Sequence, residues 1–286
     1  RQPAMVERSR GMKKPDLTPL QEAVLAQVRV NAPAAMLDEG LLEKFLVAGV
    51  RPEVGLDARA LTEIPRSRLE EMAREFKKAG LAASVHGPFM DLSPGALDPQ
   101  ILEFSRRRYD QGLEAAALFE PEHIVFHPIY DPARQWSYRD RWLEISLETW
   151  RLAAQKARDL GLVMVLENTH ETEPSEMESL LSELAPLGVG FCLDLGHAHA
   201  MGRVPITDWI DALGPYLAAM HLHDNHGDRD EHLALGRGDI DFAGVFSHLF
   251  RNDIRPRAVT LEPHAEEDLW PGIIALAEVW PWNPLE

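Results

Sequence analysis

Five short apolar runs in this chain each stop at a residue able to hold a metal ion. This repetition constrains the fold more than any single motif does. The runs read SVHGPF (84–89), VFHP (125–128), VLEN (165–168), FCLDLGH (191–197) and AMHLHD (219–224), and a sixth, VTLEPH (259–264), follows near the end. Such runs read as parallel strands with functional groups at their C-terminal ends, which is where a (β/α)8 barrel builds its active site. Strands are expected at 27–31, 52–56, 82–86, 123–127, 162–167, 189–194, 217–222 and 258–262. Between them, apolar residues recur at helical spacing. Leu69, Met72, Ala73 and Phe76 do so within 66–80, with Gly80 as the expected cap, and Leu143, Leu147, Trp150, Ala154 and Ala157 do so within 138–160. Asp241 is expected to cap the helix that follows it. Strand–helix alternation over 286 residues fits an α/β fold, a (β/α)8 TIM barrel, in one catalytic domain spanning 18–286. An open doubly wound sheet would show a Gly-rich phosphate loop after its first strand. That position reads NAPAAML here, and neither GxGxxG nor GxxxxGK[ST] occurs. Residues 1–17 carry five basic residues and no apolar periodicity; they read as a flexible leader, with Gly11-Met12 a candidate native start after a tag remnant.

Charge bears on the partners. The 29 basic and 46 acidic residues leave a net charge of −17. Phosphate neutralisation by basic side chains supplies most of the affinity of nucleic-acid binders. The balance therefore argues against a DNA partner, although basic loops or bound cations leave one open. No apolar run is long enough to span a membrane, and no secretory signal pattern is present. Cys192 is the only cysteine, so no intramolecular disulfide can form, and a reducing cytoplasm is the expected compartment. Its apolar neighbours make it a packing residue rather than a reactive thiol. Homo-oligomerisation stays open.

One His or Glu at a strand end is ordinarily a satisfied polar residue or a helix cap. Repetition at equivalent places changes that. His86, His127, Glu167, Asp194 and Glu262 each end a different strand, and in a barrel these ends converge. Converging carboxylates repel and raise each other's pKa unless cations sit between them. Mixed oxygen and imidazole donors suit Zn, Mn, Fe or Co better than Ca. Asp194 and His197 lie three residues apart across a turn opened by Gly196. His221 and His223 alternate on one strand and so face one side; His221, at the end of the apolar run, is the expected ligand. Asp230 and His232 form a D-x-H pair in a charged loop that continues into LALGRGDID. His170, His199, His226 and His264 lie near these positions, whereas His123 and His248 read as structural or exposed. The tryptophans Trp270, Trp280 and Trp282 read as packing residues, and Arg106 to Arg108 as a solvated helix face.

With these residues the chain resembles the xylose isomerase-like TIM barrels, a superfamily that holds sugar isomerases and epimerases together with endonuclease IV. The resemblance covers roughly residues 25–280. Glu167 of VLEN, Asp194 of CLDLGH, His221 of MHLHD and Glu262 of TLEP match the metal site shared across the superfamily. In the isomerase branch the two glutamates also form the acid–base pair. Further matches point to the endonuclease IV branch. HGPFMDL resembles H-x-P-[YF]-x-x-L and gives His86, while VFHP gives His127. DLGHAHAMG resembles D-x-x-H-A-x-A-x-G and gives His197. RDEHLALGRGDI resembles D-x-H-x-x-L-G-x-G-x-I and gives Asp230 and His232. Each of the nine ligands of that branch's three-zinc site thus has a counterpart. The intervals 197–221 and 221–230 are shorter than in that branch, however, and the loop after strand 7 is reduced to DNHGDR. The loop NAPAAMLDE lacks the basic and polar residues that grip DNA there.

The resemblance implies a metal-dependent sugar or sugar-phosphate isomerase or epimerase using one to three divalent ions, Zn or Mn, per chain. Glu167 and Glu262 would move the proton, and His223, Arg229, Arg237 and His264 would contact a small-molecule sugar or sugar phosphate. The alternative is a metal-dependent phosphodiesterase of the endonuclease IV type. A third, non-enzymatic reading is a metal-dependent sugar-binding protein.

Overall fold

Side chains on a strand alternate between its two faces, and in this chain that alternation separates two kinds of interior. The computed structural model describes residues 13–282; residues 1–12 of the expected leader and the last four residues lie outside the described part. The strands are β1 (Arg29–Pro33), β2 (Arg51–Gly55), β3 (Ser84–His86), β4 (Ile124–Phe126), β5 (Met164–Glu167), β6 (Gly190–Asp194), β7 (Leu217–Leu222) and β8 (Ala258–Leu261). All are parallel and pair in chain order, and β8 returns to β1 to close the barrel. Every strand expected from the sequence is present, with no end displaced by more than two residues.

Outward-facing residues such as Val30, Val54, Val85, Phe126, Leu166, Leu193, Met220 and Leu261 belong to one large cluster with the surrounding helices. The inward face carries a second, much smaller apolar cluster of Val125, Val165, Cys192, Ala219 and Ala258. One inward position further along each strand, two residues on, come His127, Glu167, Asp194, His221 and Thr260. The small apolar layer therefore acts as a floor, and the next inward layer is polar. Burial pushes the Cys192 thiol far above its ordinary range, which fits its packing role in that floor.

The helices form where the periodicity places them. Arg66–Lys78 buries Leu69, Met72 and Phe76, and Gly80 ends it at φ +70. Arg139–Asp159 buries Trp142, Trp150 and Ala154, with Gly161 following at φ +72. Asp241 caps Phe242–Arg251 by accepting from the Gly244 N–H. Trp282 and Trp280 pack around Phe246. No helix among the described residues is long and apolar enough to cross a membrane.

The fully buried Trp150 ring lies 4.8 Å from Tyr109 and 5.7 Å from Phe126, joining two helices to β4. Replacing Trp150 with Ala is expected to destabilise the fold by about 3–5 kcal/mol, the range for truncating a buried aromatic. Urea unfolding followed by circular dichroism measures this; a loss below about 1 kcal/mol would contradict the assigned packing.

Candidate metal centre

Strand-end geometry brings the expected residues together at the C-terminal mouth of the barrel. Glu167, at the end of β5 and 1% exposed, is the hub. Its Oε2 lies 3.4 Å from His86 Nε2, 3.3 Å from His127 Nε2 and 3.1 Å from His221 Nδ1, and its Oε1 lies 3.1 Å from His197 Nδ1. Glu262, one residue past β8, places Oε1 3.1 Å from the same His221 Nδ1. Asp194 ends β6 and caps the short helix Leu195–Ala200, its Oδ1 accepting from the His197 N–H at 2.6 Å. Asn168 ties the two strand ends together, donating to the Asp194 carbonyl at 3.0 Å and accepting from the Asp194 N–H at 2.9 Å.

A second group gathers beside the first. The donor atoms of His197, His223, Asp230 and His232 all lie within 4.8 Å of one another. Asp230 Oδ2 is 3.4 Å from His197 Nε2 and 3.2 Å from His232 Nε2. His223, His232 and His264 stack in a row, with centroids 3.8 and 3.9 Å apart. His232 holds φ +51, a conformation uncommon for a residue with a side chain and typical of constrained functional positions. Gly196 makes room for this row, because a Cβ there would fall 1.9 Å from the His223 ring.

The loop carrying Asp230 and His232 is anchored by Asp224, which is fully buried. Its carboxylate accepts from the backbone N–H groups of Gly236 and Gly238, both at 2.9 Å, and of Ile240 at 3.2 Å. The glycines in LALGRGDI serve this anchor. Gly236 sits at φ +82, and a Cβ on Gly238 would strike the Asn225 carbonyl at 2.3 Å.

Electrostatics set the buried groups apart from one another. Burial by itself would raise Glu167, yet the charges of His221 and His127 hold it well below the usual carboxylate range. Burial dominates at Glu262 and raises it. Burial lowers His127 to about 4. At His221 burial is outweighed by Cys192, Glu53, Glu262 and Glu167, which raise it well above its ordinary value. Glu167 Oε2, Asp194 Oδ2 and both ring nitrogens of His221 and His223 are buried with no aligned hydrogen-bond partner among the described residues. Buried polar atoms are normally satisfied. Orphans on mixed carboxylate and imidazole donors, converging at 3–4 Å, fit divalent cations. The groups around Glu167–His221 and around His197–Asp230 offer separate cation positions.

Other expectations fare differently. Arg229 is exposed and paired with Glu231 at 3.2 Å, and Arg237 is exposed and paired with Asp268 at 2.6 Å. Neither is paired with a residue of the two clusters. His223, also expected to touch substrate, is buried within the second group, where the inward phase of β7 carries it past His221. His264 is exposed at the outer end of the imidazole row. Glu53, Asn168, Asp224 and Glu171 were not singled out by the sequence. Glu53 lies mid-strand, where strand-end reasoning does not look; its only signal is a charge at an inward position of β2.

Glu171 follows β5 and is buried, with Oε2 accepting from the Thr169 N–H at 2.7 Å and Oε1 unpaired among the described residues. Burial pushes its carboxyl up from 4.5 to about 7. The folded chain therefore holds a proton that the unfolded chain has lost between these values, so stability falls as pH rises through this window. Glu171→Gln removes the penalty. Its stabilising effect is expected to be larger at pH 8 than at pH 5, by up to roughly 3 kcal/mol. Denaturant curves at the two pH values measure the difference, and equal effects would contradict the assigned shift.

Comparison with known proteins agrees with this geometry. The family described as xylose isomerase-like TIM barrel matches residues 50–279. The uncharacterized protein MJ1311 of Methanocaldococcus jannaschii is 27% identical over 172 residues, 58% of this chain, which spans 59% of that protein's length. A probable endonuclease 4 of Mycobacterium leprae is 27% identical over 185 residues, covering 60% of this chain and 70% of that protein. Among solved structures, the TTHB071 protein from Thermus thermophilus, soaked with ZnCl2, superposes with a TM-score of 0.73 at 28% identity, covering 88% of this chain and 96% of that one. A D-tagatose 3-epimerase-like protein superposes with a TM-score of 0.74 at 20% identity, covering 88% and 97%, which speaks to the fold alone. The closed barrel, the convergent strand ends and the family match together place this chain in the xylose isomerase-like TIM barrel family.

Proposed function

We propose that this chain is a metal-dependent isomerase or epimerase of a sugar or sugar phosphate, working by proton transfer. The observation that carries this reading is the pair Glu167 and Glu262. They come from different strands and both approach His221 Nδ1 at 3.1 Å. Two carboxylates flanking one site from different strands can take a proton and return one. In this reading Glu167 takes the proton from the carbon beside the substrate carbonyl, and Glu262 returns one. Glu167, Asp194, His221 and Glu262 would hold a divalent cation, which supplies Lewis acidity toward adjacent substrate oxygens. His86 and His127 border the Glu167 side of the pocket, and the exposed His264 ring offers a contact at its mouth.

A second reading, phosphoester hydrolysis, is favoured by the separate group of His197, Asp230 and His232 and by the similarity to the M. leprae protein. Two or three cations could activate water and stabilise a leaving oxygen. Metal content after purification without chelator bears on both readings: one Mn or Co per chain supports isomerisation, and three Zn support hydrolysis.

Glu167→Gln is expected to abolish turnover and leave the fold intact, since the amide keeps the shape but loses both the negative charge and the base. Substantial turnover by this variant at full metal content would remove Glu167 as the base. The native chain is expected to exchange solvent deuterium into the carbon beside the carbonyl of a ketose or ketose phosphate, read by NMR. Its affinity for abasic-site duplex DNA is expected to be no better than about 10⁻⁴–10⁻⁶ M at physiological salt. Efficient nicking of that DNA, with no exchange across a broad sugar panel, would reverse the order of the two readings.

A further inference from the structure

Beneath the cluster lies a carboxylate that the proposed chemistry does not use. Glu53 is 0% exposed at an inward position of β2. Asn31 Nδ2 of β1 donates to its Oε1 at 3.2 Å. Ser84 Oγ of β3 and Thr260 Oγ1 of β8 donate to its Oε2 at 2.8 and 3.0 Å. His221 Nε2 of β7 lies 3.1 Å from Oε1, and His123 Nε2, just before β4, lies 3.6 Å from Oε2. Glutamate is almost never buried to this extent without such partners.

The placement relative to His221 is directional. The ring lies between Glu53 on its Nε2 side and Glu167 with Glu262 on its Nδ1 side. Neither nitrogen is aligned for a hydrogen bond among the described residues, and both are buried. Only one can carry the proton while the other holds a cation. Glu53 is already committed to three donors from the barrel wall, so it is fixed in place. It lies mid-strand in β2, whereas Glu167 ends β5 and Glu262 follows the end of β8, on the side of the mouth.

We propose that Glu53 is the positioning residue of the metal centre: it takes the Nε2–H of His221, leaving Nδ1 as the only nitrogen free to bind a cation between Glu167 and Glu262. Carboxylates hydrogen-bonded to the far nitrogen of a metal-bound imidazole fix its tautomer and raise its basicity. Here that partner comes from the barrel interior, so the wall of donors around Glu53 sets the orientation of a ligand at the mouth.

The inference rests on the metal-binding part of the proposed function and is independent of the substrate. Zn affinity of the full chain is measured by competition with a fluorescent chelator, and the histidine tautomers by long-range 15N–1H NMR of the Zn-loaded wild type. Glu53→Gln keeps the shape and removes the charge: its amide oxygen can still accept from Asn31, and the Ser84 and Thr260 hydroxyls can turn to accept from its amide group. It is expected to weaken Zn binding roughly 10- to 100-fold, whereas the double variant Ser84→Ala/Thr260→Val, which leaves the Glu53 charge facing His221, is expected to weaken it less. In the wild type, His221 is expected to show a protonated Nε2 and a metal-shifted Nδ1. A protonated Nδ1 with metal on Nε2 would overturn the inference without any variant having to fold. Unchanged Zn affinity in Glu53→Gln would overturn it as well. A wild type that binds no Zn, Mn or Co would overturn the metal reading itself, and the inference with it.

Discussion

A carboxylate closed off from water must be surrounded by donors or protonated, and the barrel interior here is arranged around that requirement. Glu53 draws Asn31, Ser84, Thr260 and His221 onto one side chain, from four strands other than its own. Register follows from it. Asn31 pairs with Glu53, Glu53 with Ser84, and His221 with Thr260 along the sheet. A slip of one residue in any of these strands would turn its donor outward into the apolar helix layer and strand the charge. The polar layer therefore specifies the closure of the barrel as much as the apolar layer stabilises it.

Above that layer the chain concentrates charge rather than dispersing it. Glu167, Asp194, Asp230 and Glu262 share a small volume with six imidazoles. Two of the imidazoles, His197 and His221, serve as counter-charges and are raised in spite of their burial. Cations that replace those protons would relieve the same repulsion, so metal affinity is expected to decline in acid as protons compete for the same donors.

The fold was legible because inward and outward residues differ so clearly: Val125 precedes His127 by two residues, Val165 precedes Glu167, and Cys192 precedes Asp194. Convergence of the strand-end residues followed from the architecture itself. Glu53 was not legible, because RPEVG shows one charge inside a strand with nothing to mark which face it takes. The partners of the arginines were not legible for a related reason. Arg229 and Arg237 flank the right loop in sequence, but partner choice on a surface depends on which carboxylate lies nearest in space, here Glu231 and Asp268. Asp224 stood at the start of the segment DNHGDR with nothing to mark it, although it is the buried residue that shapes the loop.

That shape carries a consequence for how such a protein diversifies. Asp224 clamps Gly236, Gly238 and Ile240 through their backbone N–H groups, so the anchorage is indifferent to most side chains between the two ends. His226, Asp228 and Arg229 stand exposed on the outside of the loop. They can be exchanged without disturbing the clamp, so the outside of this loop can vary while the centre below keeps its shape. Substitution of Asp224 itself offers no such freedom, since its loss would release the whole segment that carries Asp230 and His232.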